Sequence, residues 1–252
     1  KEVELFLDGE SLGRQAPVLC DAVFDVPFAD GLNTLTARAV VDGQEVVDEL
    51  EIDFNLIPSN LQESLAKDFK LNVNIGSKCF FVDPVLREAW MPGKAYSPGS
   101  HGFVGGEPLY RQNKDGMNYP GSPARISSTK NDPLYQTMLA GIESYRFDVP
   151  DGDYELTLHF AELVSAKKLA TLVYEFTEGQ KGADAPISRE FDVSVNGSTV
   201  LPRFAPGRDY ADFQAIAKTV PVSVRGGTGI VIDFTSRTAE PILNAIQLRK
   251  LD

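Results

Sequence analysis

Residues 131–162, NDPLYQTMLAGIESYRFDVPDGDYELTLHFAE, decide the fold. Tyr145, Phe147 and Val149 alternate with polar residues, Pro150-Asp151-Gly152 supplies turn chemistry, and Tyr154, Leu156, Leu158 and Phe160 alternate again. That pattern predicts two antiparallel strands joined as a hairpin. Their apolar faces need a second layer to cover them, so an all-β fold is expected, a sandwich with this hairpin at its centre.

The rhythm continues on both sides. Downstream, Phe191, Val193 and Val195 lead into Asn196-Gly197, a strong hairpin signal. Val220 to Val224 turns at Gly226-Gly227 into Ile230, Ile232 and Phe234, and Leu243 to Leu248 closes the sheet. Between them, residues 164–188 break the pattern and read as an insertion at one end of the sandwich, apolar in AKKLATLVYEF and mobile in TEGQKGADAP. Upstream, LNVNIGS from Leu71 reads as the first strand of this larger domain. A segment from Cys79 to Pro133 follows, rich in Gly, Pro and aromatic residues. It is too long to be structureless, so it is expected to be ordered and to line a surface, with its glycines giving turns rather than strands.

Residues 1–57 form a separate, smaller β pattern. Val3, Leu5 and Leu7 share a face, Asp8-Gly9 turns, Phe24, Val26 and Phe28 alternate, and Leu35 to Val41 pairs with Val46 to Phe54 across Asp42-Gly43. About five strands in so short a stretch need another surface to lean on. Residues 58–70 read as a linker with a short helix, capped by Ser59 or Asn60, that places Leu61, Leu65 and Phe69 on one edge. Residues 71–252 are the second domain. The chain opens directly on a strand, which reads as a cut inside a larger protein.

Composition narrows the function classes. A formal net charge of −12 on 252 residues disfavours nucleic acid and anionic membrane surfaces as partners and suits neutral ligands. No apolar run is long enough to span a bilayer. Cys20 and Cys79, the only cysteines, lie far apart and read as buried free thiols rather than a disulfide scaffold. With two histidines and two cysteines a transition-metal centre is not expected, nor any cofactor. A Ca²⁺ held by loop carboxylates and carbonyls, as at Asp83 or Asp132, stays open.

No catalytic constellation is visible. The chain has no H-E-x-x-H and no P-loop, and RGGTGIVI lacks the spacing of a dinucleotide site. The aromatic segment points to recognition instead. Sugar sites set flat aromatic faces against a pyranose ring and bind its hydroxyls with carboxylates, amides and hydroxyls. Trp90, Tyr96, His101, Phe103, Tyr110 and Tyr135 could supply the first, and Glu162, Asn244, Gln136 and Asp132 the second. The ordinary alternative is that these aromatics fill the core beneath long loops, above all Tyr135 and Phe160, and that Glu162 is an exposed or capping glutamate. His159, on the face opposite Leu158 and Phe160, reads as a hydrogen-bonded sheet residue.

The runs CFFVDPVLREAWMPGKAYSPGSHGFVGG, DPLYQT, YRFDVPDGDYELTLHFAE, REFDVSVNG and EPILNAIQLRK together resemble the malectin-like carbohydrate-binding domain at the C-terminal end of family 2 glycoside hydrolases such as bacterial β-galactosidases. VELFLDGESLG and VPFADGLNTLTARAVVDGQEV resemble the small immunoglobulin-like domain that precedes it. The resemblance implies a jelly-roll or galactose-binding-like sandwich in a non-catalytic accessory region, with the catalytic barrel lying before Lys1. The implied partners are that barrel and an oligo- or polysaccharide, galactose-containing, in a secreted or periplasmic enzyme. It also implies that Tyr135, Gln136, Phe160, Glu162, Phe191, Asp192, Asn196, Gly197, Pro241 and Asn244 are scaffold positions. The family's disaccharide pocket of aromatics and one acid aligns with His101, Ala140, Val164, Ser165 and Ala239, so that pocket is not carried over. Either the domain binds another glycan through Trp90, Tyr96, His101, Phe103 and the insertion after Val164, or it has become a packing module for its enzyme.

Overall fold

The computed structural model describes residues 2–15, 31–54, 57–63, 65–67, 69–84, 86, 88–112, 116, 118–164 and 188–251. The chain forms two compact units, Lys1–Ile57 and Pro58–Asp252. No helix among the described residues is long and apolar enough to cross a membrane.

The first unit holds β1 (Val3–Leu7), β2 (Glu10–Gln15), β3 (Gly31–Val41) and β4 (Gln44–Phe54) in one antiparallel sheet of order β2-β1-β3-β4. Both predicted tight turns are present. Asp8 and Gly9 have φ of 47° and 86°, Asp42 and Gly43 of 53° and 82°, the left-handed pair that two-residue hairpins require. Leu7 is buried, whereas Val46 and Leu50 are more than half exposed. The strand expected at Phe24 to Phe28 and the thiol of Cys20 lie outside the described residues.

The second unit begins with β5 (Lys70–Asn74), β6 (Phe81–Val82), β7 (Ala89–Pro92), β8 (His101–Pro108), β9 (Tyr110–Gln112) and β10 (Asn118–Pro120). After the single-turn helix α1 (Asp132–Tyr135) come β11 (Leu139–Phe147), β12 (Gly152–Phe160), β13 (Glu190–Val195) and β14 (Ser198–Phe204). The short helix α2 (Pro206–Asp209) leads to β15 (Ile216–Val224), β16 (Ile230–Thr238), β17 (Ile242–Leu243) and β18 (Ala245–Lys250). One six-stranded sheet runs β14-β13-β16-β11-β17 with β8 also on β11, and the other runs β15-β12-β18-β5-β7-β6. The all-β layered fold is as the alternation demands.

The central pair is not a hairpin, however. β11 lies in the first sheet and β12 in the second, so the residues between them carry the chain from one layer to the other. Side-chain anchors hold this arch open. The Asp148 carboxylate accepts the Tyr96 hydroxyl at 2.8 Å and the Gly99 N–H at 2.6 Å. The Asp151 carboxylate accepts the N–H groups of Gly226 and Gly227, each at 2.7 Å, in the neighbouring crossing from β15 to β16. Pro150 has no N–H to continue a ladder. The alternating residues therefore meet across the sandwich: Tyr145 and Phe147 from one layer and Tyr154, Leu156 and Phe160 from the other are all fully buried. Asn196-Gly197, with φ of 47° and 78°, does close a true hairpin between β13 and β14.

Two further expectations change. Among the described residues 58–70 there is no helix: Asn60 caps a turn by accepting the Gln62 N–H at 3.0 Å, and Leu61 N–H bonds Gly99 O at 2.7 Å. Leu61, Leu65 and Phe69 are buried all the same, through irregular backbone. The segment from Cys79 to Pro133 is ordered where described but builds strands as well as turns, because β8 is an eight-residue strand containing three glycines. Gly102 is needed there: a Cβ would come within 2.6 Å of the backbone of Ala95 and Tyr96.

Candidate functional site

The predicted sugar-binding residues divide by burial. Trp90, on β7, is only 4% exposed and meets the His159 ring edge-on at 5.4 Å. It packs inside and offers no face to a ligand. His101, at the start of β8, is equally interior. Its Nδ1 is 2.9 Å from the Tyr145 hydroxyl, its ring stacks near Tyr145 and Phe147, and burial holds its pKa down to about 3. Tyr96 is half-buried; its hydroxyl donates to Asp148, which raises its pKa, and Arg146 covers its ring at 5.3 Å. Phe103 is half-buried in β8, and Tyr110 is exposed. These side chains do not gather into one platform. Tyr135 is a core residue, hydrogen-bonded at 2.8 Å to His159 Nδ1 and with its hydroxyl pKa pushed up to about 12 by burial.

The polar candidates are mostly internal ties. Asn244 is fully buried: its Oδ1 accepts the Ala161 N–H at 2.7 Å, and its Nδ2 donates to Tyr135 O at 3.0 Å and Thr137 O at 2.8 Å. That amide clamps the end of β12, the loop after α1 and the start of β18, and at 0% exposure presents no atom to a sugar. Glu162 is also buried. Its carboxylate accepts the Val164 N–H at 3.0 Å and the Arg189 Nε at 2.9 Å, and Arg189 in turn donates to Glu240 O at 2.7 Å. Burial raises the Glu162 pKa although Arg189 pulls the other way. Of the positions aligned with the family pocket, Ala140, Val164 and Ala239 are partly exposed small or aliphatic residues, and Ser165 lies outside the described residues. Asp83 and Asp132, the calcium candidates, are engaged: Asp83 accepts Asn131 Nδ2 at 2.5 Å and Asp132 accepts the Ile126 N–H at 3.3 Å. No cluster of three His, Cys, Asp or Glu side chains suited to a metal occurs among the described residues.

What sequence reasoning missed is a groove of about 340 Å³ at the same end of the sandwich. The register sets its place, since Asn74 at the end of β5 pairs with Ala245, which pairs with His159 near the end of β12. One wall is the loop with Ser77, Cys79, Phe80 and Phe81; the other runs from Tyr119 to Pro123; the floor is Asn74, Pro133, Gln136 and Thr137. Cys79 is an exposed free thiol here, not a buried one, its N–H bonded to Ser77 Oγ. Phe80 is 72% exposed. Asn74 fixes the floor by accepting Thr137 Oγ1 at 3.0 Å and donating to Pro133 O at 3.3 Å. Gln136 donates Nε2 to Ala124 O at 3.0 Å, while its Oε1 accepts no hydrogen bond among the described residues. Only Gln136 belonged to the predicted set. Phe80-Phe81 carried a usable signal, because adjacent residues of an extended chain point to opposite sides and one ring had to face out.

A second hollow of about 330 Å³ lies at the opposite end, beside Asp148, Asp151 and Gly227 to Gly229. It has no aromatic wall, and its carboxylates already bind backbone. The groove beside Phe80 therefore has the better chemistry for a ring: an open aromatic face, three prolines, and amide and hydroxyl groups at its base.

Comparison with known proteins bears on both units. The malectin domain family matches residues 102–246, and the domain of unknown function DUF4982 matches residues 1–47. A calcium-binding mutant of Bacteroides uniformis β-glucuronidase 2 is 32% identical over 100% of this chain, with a TM-score of 0.74. A Bacteroides uniformis β-glucuronidase is 31% identical over the same extent, with a TM-score of 0.73. The chain spans only 26% of the length of each. Both are β-glucuronidases, where the sequence motifs had suggested β-galactosidases. A plant receptor-like kinase, FER, matches at 14% identity over 87% of this chain and 64% of its own, with a TM-score of 0.50, a likeness of fold. No curated protein matches the chain.

Proposed function

This chain belongs to the malectin domain family, joined to the DUF4982 unit of family 2 glycoside hydrolases, and from that premise we propose that it is the accessory C-terminal region of a β-glucuronidase-like enzyme. In this reading it binds glycan in the groove beside Phe80 and leaves bond cleavage to a catalytic domain elsewhere in the parent. The observation that carries it is the pairing of the exposed Phe80 ring with Gln136, Thr137 and Asn74 at the groove base, in a lining that holds no carboxylate among the described residues. Glycosidases work with two carboxyl groups flanking the scissile bond, and this groove supplies none. A single ring on one aromatic buries little area, so affinity should be on the order of 0.1 to 1 mM.

The test is a ligand-observed NMR titration of the 252-residue chain with neutral and acidic glycosides, repeated on Phe80→Ala. Binding at millimolar sugar, lost in Phe80→Ala with thermal stability unchanged, supports the reading. Silence across the panel up to tens of millimolar removes sugar binding from it, and binding that survives Phe80→Ala moves the site elsewhere.

A second reading is favoured by exposed apolar side chains: Leu32, Val40, Val46, Val47 and Leu50 in the first unit, and Val82 and Leu86 in the second. Patches of this kind mark contacts with neighbouring domains. Here the region buttresses the parent enzyme or its oligomer without binding sugar. Deleting residues 71–252 from the parent separates the two, because a pure buttress takes heat stability with it and a pure binding module does not.

A further inference from the structure

Resting on the reading that the groove binds glycan, we propose that it selects sugars bearing a carboxylate, with Lys78 as the counter-charge. Lys78 sits between the lining residues Ser77 and Cys79 and is exposed. Its ammonium lies over the ring of Tyr110, 5.7 Å from the centroid. Tyr110 is the ladder partner of Pro120, which lines the opposite wall. The lysine and the tyrosine therefore join the segments that carry the two walls, with one positive charge beside the groove lining.

Several exposed arginines of this acidic protein find carboxylates, Arg14 with Glu4, Arg203 and Arg208 with Glu190, Arg225 with Asp153, Arg237 with Asp192 and Arg249 with Glu155, whereas Arg38 and Arg146 lie over the rings of Phe6 and Tyr96. Lys78 makes no ion pair among the described residues and rests on an aromatic face, which orients an ammonium without neutralising it. Among the described residues the groove lining contains no Asp or Glu. Asp132, next to Pro133 of the floor, turns a carboxylate oxygen to the Ile126 N–H.

The spacing suits a uronic acid. Phe80 is two positions on from Lys78, at most about 7 Å of backbone, which is close to the span of one pyranose ring and its C6 substituent. A ring stacked flat on Phe80 projects its C6 group in the ring plane, and in this reading that group is turned to the Lys78 side of the groove. A neutral sugar puts a hydroxymethyl there and gains only a hydrogen bond. A uronate forms a charge-assisted contact that the half-open groove screens incompletely, expected to tighten binding about three- to tenfold.

Matched pairs isolate the effect: methyl β-glucoside against methyl β-glucuronide, and methyl β-galactoside against methyl β-galacturonide, titrated by NMR into the wild-type chain, Lys78→Gln and Lys78→Arg. The expected result is a three- to tenfold preference for the uronide within each pair. Lys78→Gln should abolish it, so that each uronide binds no more tightly than its neutral partner, and Lys78→Arg, which keeps a cation on the tyrosine, should preserve it. Equal affinities within both pairs for the wild-type chain overturn the selectivity while leaving glycan binding standing. A uronide preference that persists in Lys78→Gln overturns the role of Lys78. If none of the four glycosides binds, the underlying reading of the groove falls, and the selectivity with it.

Discussion

Replacing Asn244 with alanine tests whether this buried amide holds the Phe80-groove end of the sandwich together. The change removes one acceptor and two donors at once, leaving the Ala161 N–H and the carbonyls of Tyr135 and Thr137 without partners in an interior where Asn244 is 0% exposed. An orphaned buried polar group costs about 1–3 kcal/mol, and the three are coupled, since water entering the vacated space can serve more than one of them. A net loss of about 4 kcal/mol follows. In a unit of this size each kcal/mol shifts Tm by about 2–4 °C, so a fall of about 8–16 °C is expected. Trp90 is the only tryptophan and is buried in the same unit, so its fluorescence during urea unfolding reports the loss directly, with calorimetry as the second measurement. Asn244→Asp is the informative partner. It keeps the acceptor for Ala161 but turns the donors into lone pairs facing two carbonyls, and should destabilise at least as much. If Asn244→Ala loses less than about 1 kcal/mol, the clamp is not what holds these loops. If it keeps its Tm and loses glycan binding, Asn244 belongs to the ligand and the assignment made here is wrong.

Three other substitutions probe separate elements. Arg189→Met strands the buried Glu162 carboxylate, whose side chain is 6% exposed, and should cost about 3 kcal/mol at pH 7. Burial already raises the Glu162 pKa, and losing Arg189 raises it further, so protonation relieves the buried charge and the deficit should shrink between pH 7 and pH 5; a deficit equal at both pH values argues against it. His101→Gln addresses acid sensitivity. The folded imidazole is held down to about 3, so below the unfolded value near 6.5 only the unfolded chain takes up the proton, and stability falls as pH drops through that window. Removing the imidazole should reduce the loss between pH 7 and pH 5 by about 2 kcal/mol, measured by urea unfolding, and parallel pH profiles for variant and wild type contradict the assignment. Gly121→Ala would put a Cβ 1.9 Å from Gln136 O at a φ of +72°, so a loss of about 3 kcal/mol and a disturbed groove floor are expected. An alanine tolerated within about 0.5 kcal/mol means that the backbone does not pass so close.

The layers were readable because alternation at period two reports that a strand has one wet and one dry face, and that physics holds in any register. It does not report which strand lies alongside. Tyr145 and Phe147 on one side of Pro150, and Tyr154 and Leu156 on the other, alternate just as a hairpin would, yet they face each other across the core. What sends them to different sheets is Asp148 gripping Gly99 and Tyr96, and Asp151 gripping Gly226 and Gly227, bonds that span 49, 52, 75 and 76 residues of sequence. Trp90 and His101 were ambiguous for the same reason. Aromatics in a Gly-rich segment look alike whether they stack on a sugar or on the core, and only the partners His159 and Tyr145, 69 and 44 residues away, decide which.

The residues that make the family recognisable are poor guides to its ligand, and the packing explains why. Tyr135, Phe160, Glu162 and Asn244 are all buried, tied to backbone or to one another, and any chain of this architecture needs such ties to close its loops. Their recurrence reports the scaffold. In the proposed reading, ligand contacts come mainly from positions outside these ties, Phe80, which is exposed beside a buried sheet, and Lys78 on the rim, joined by the Oε1 of the scaffold residue Gln136. Those positions can change without unfolding the domain. A chain can therefore keep every tie of the malectin fold, lose the pocket at His101, Ala140 and Ala239, and still present a different groove a few residues away.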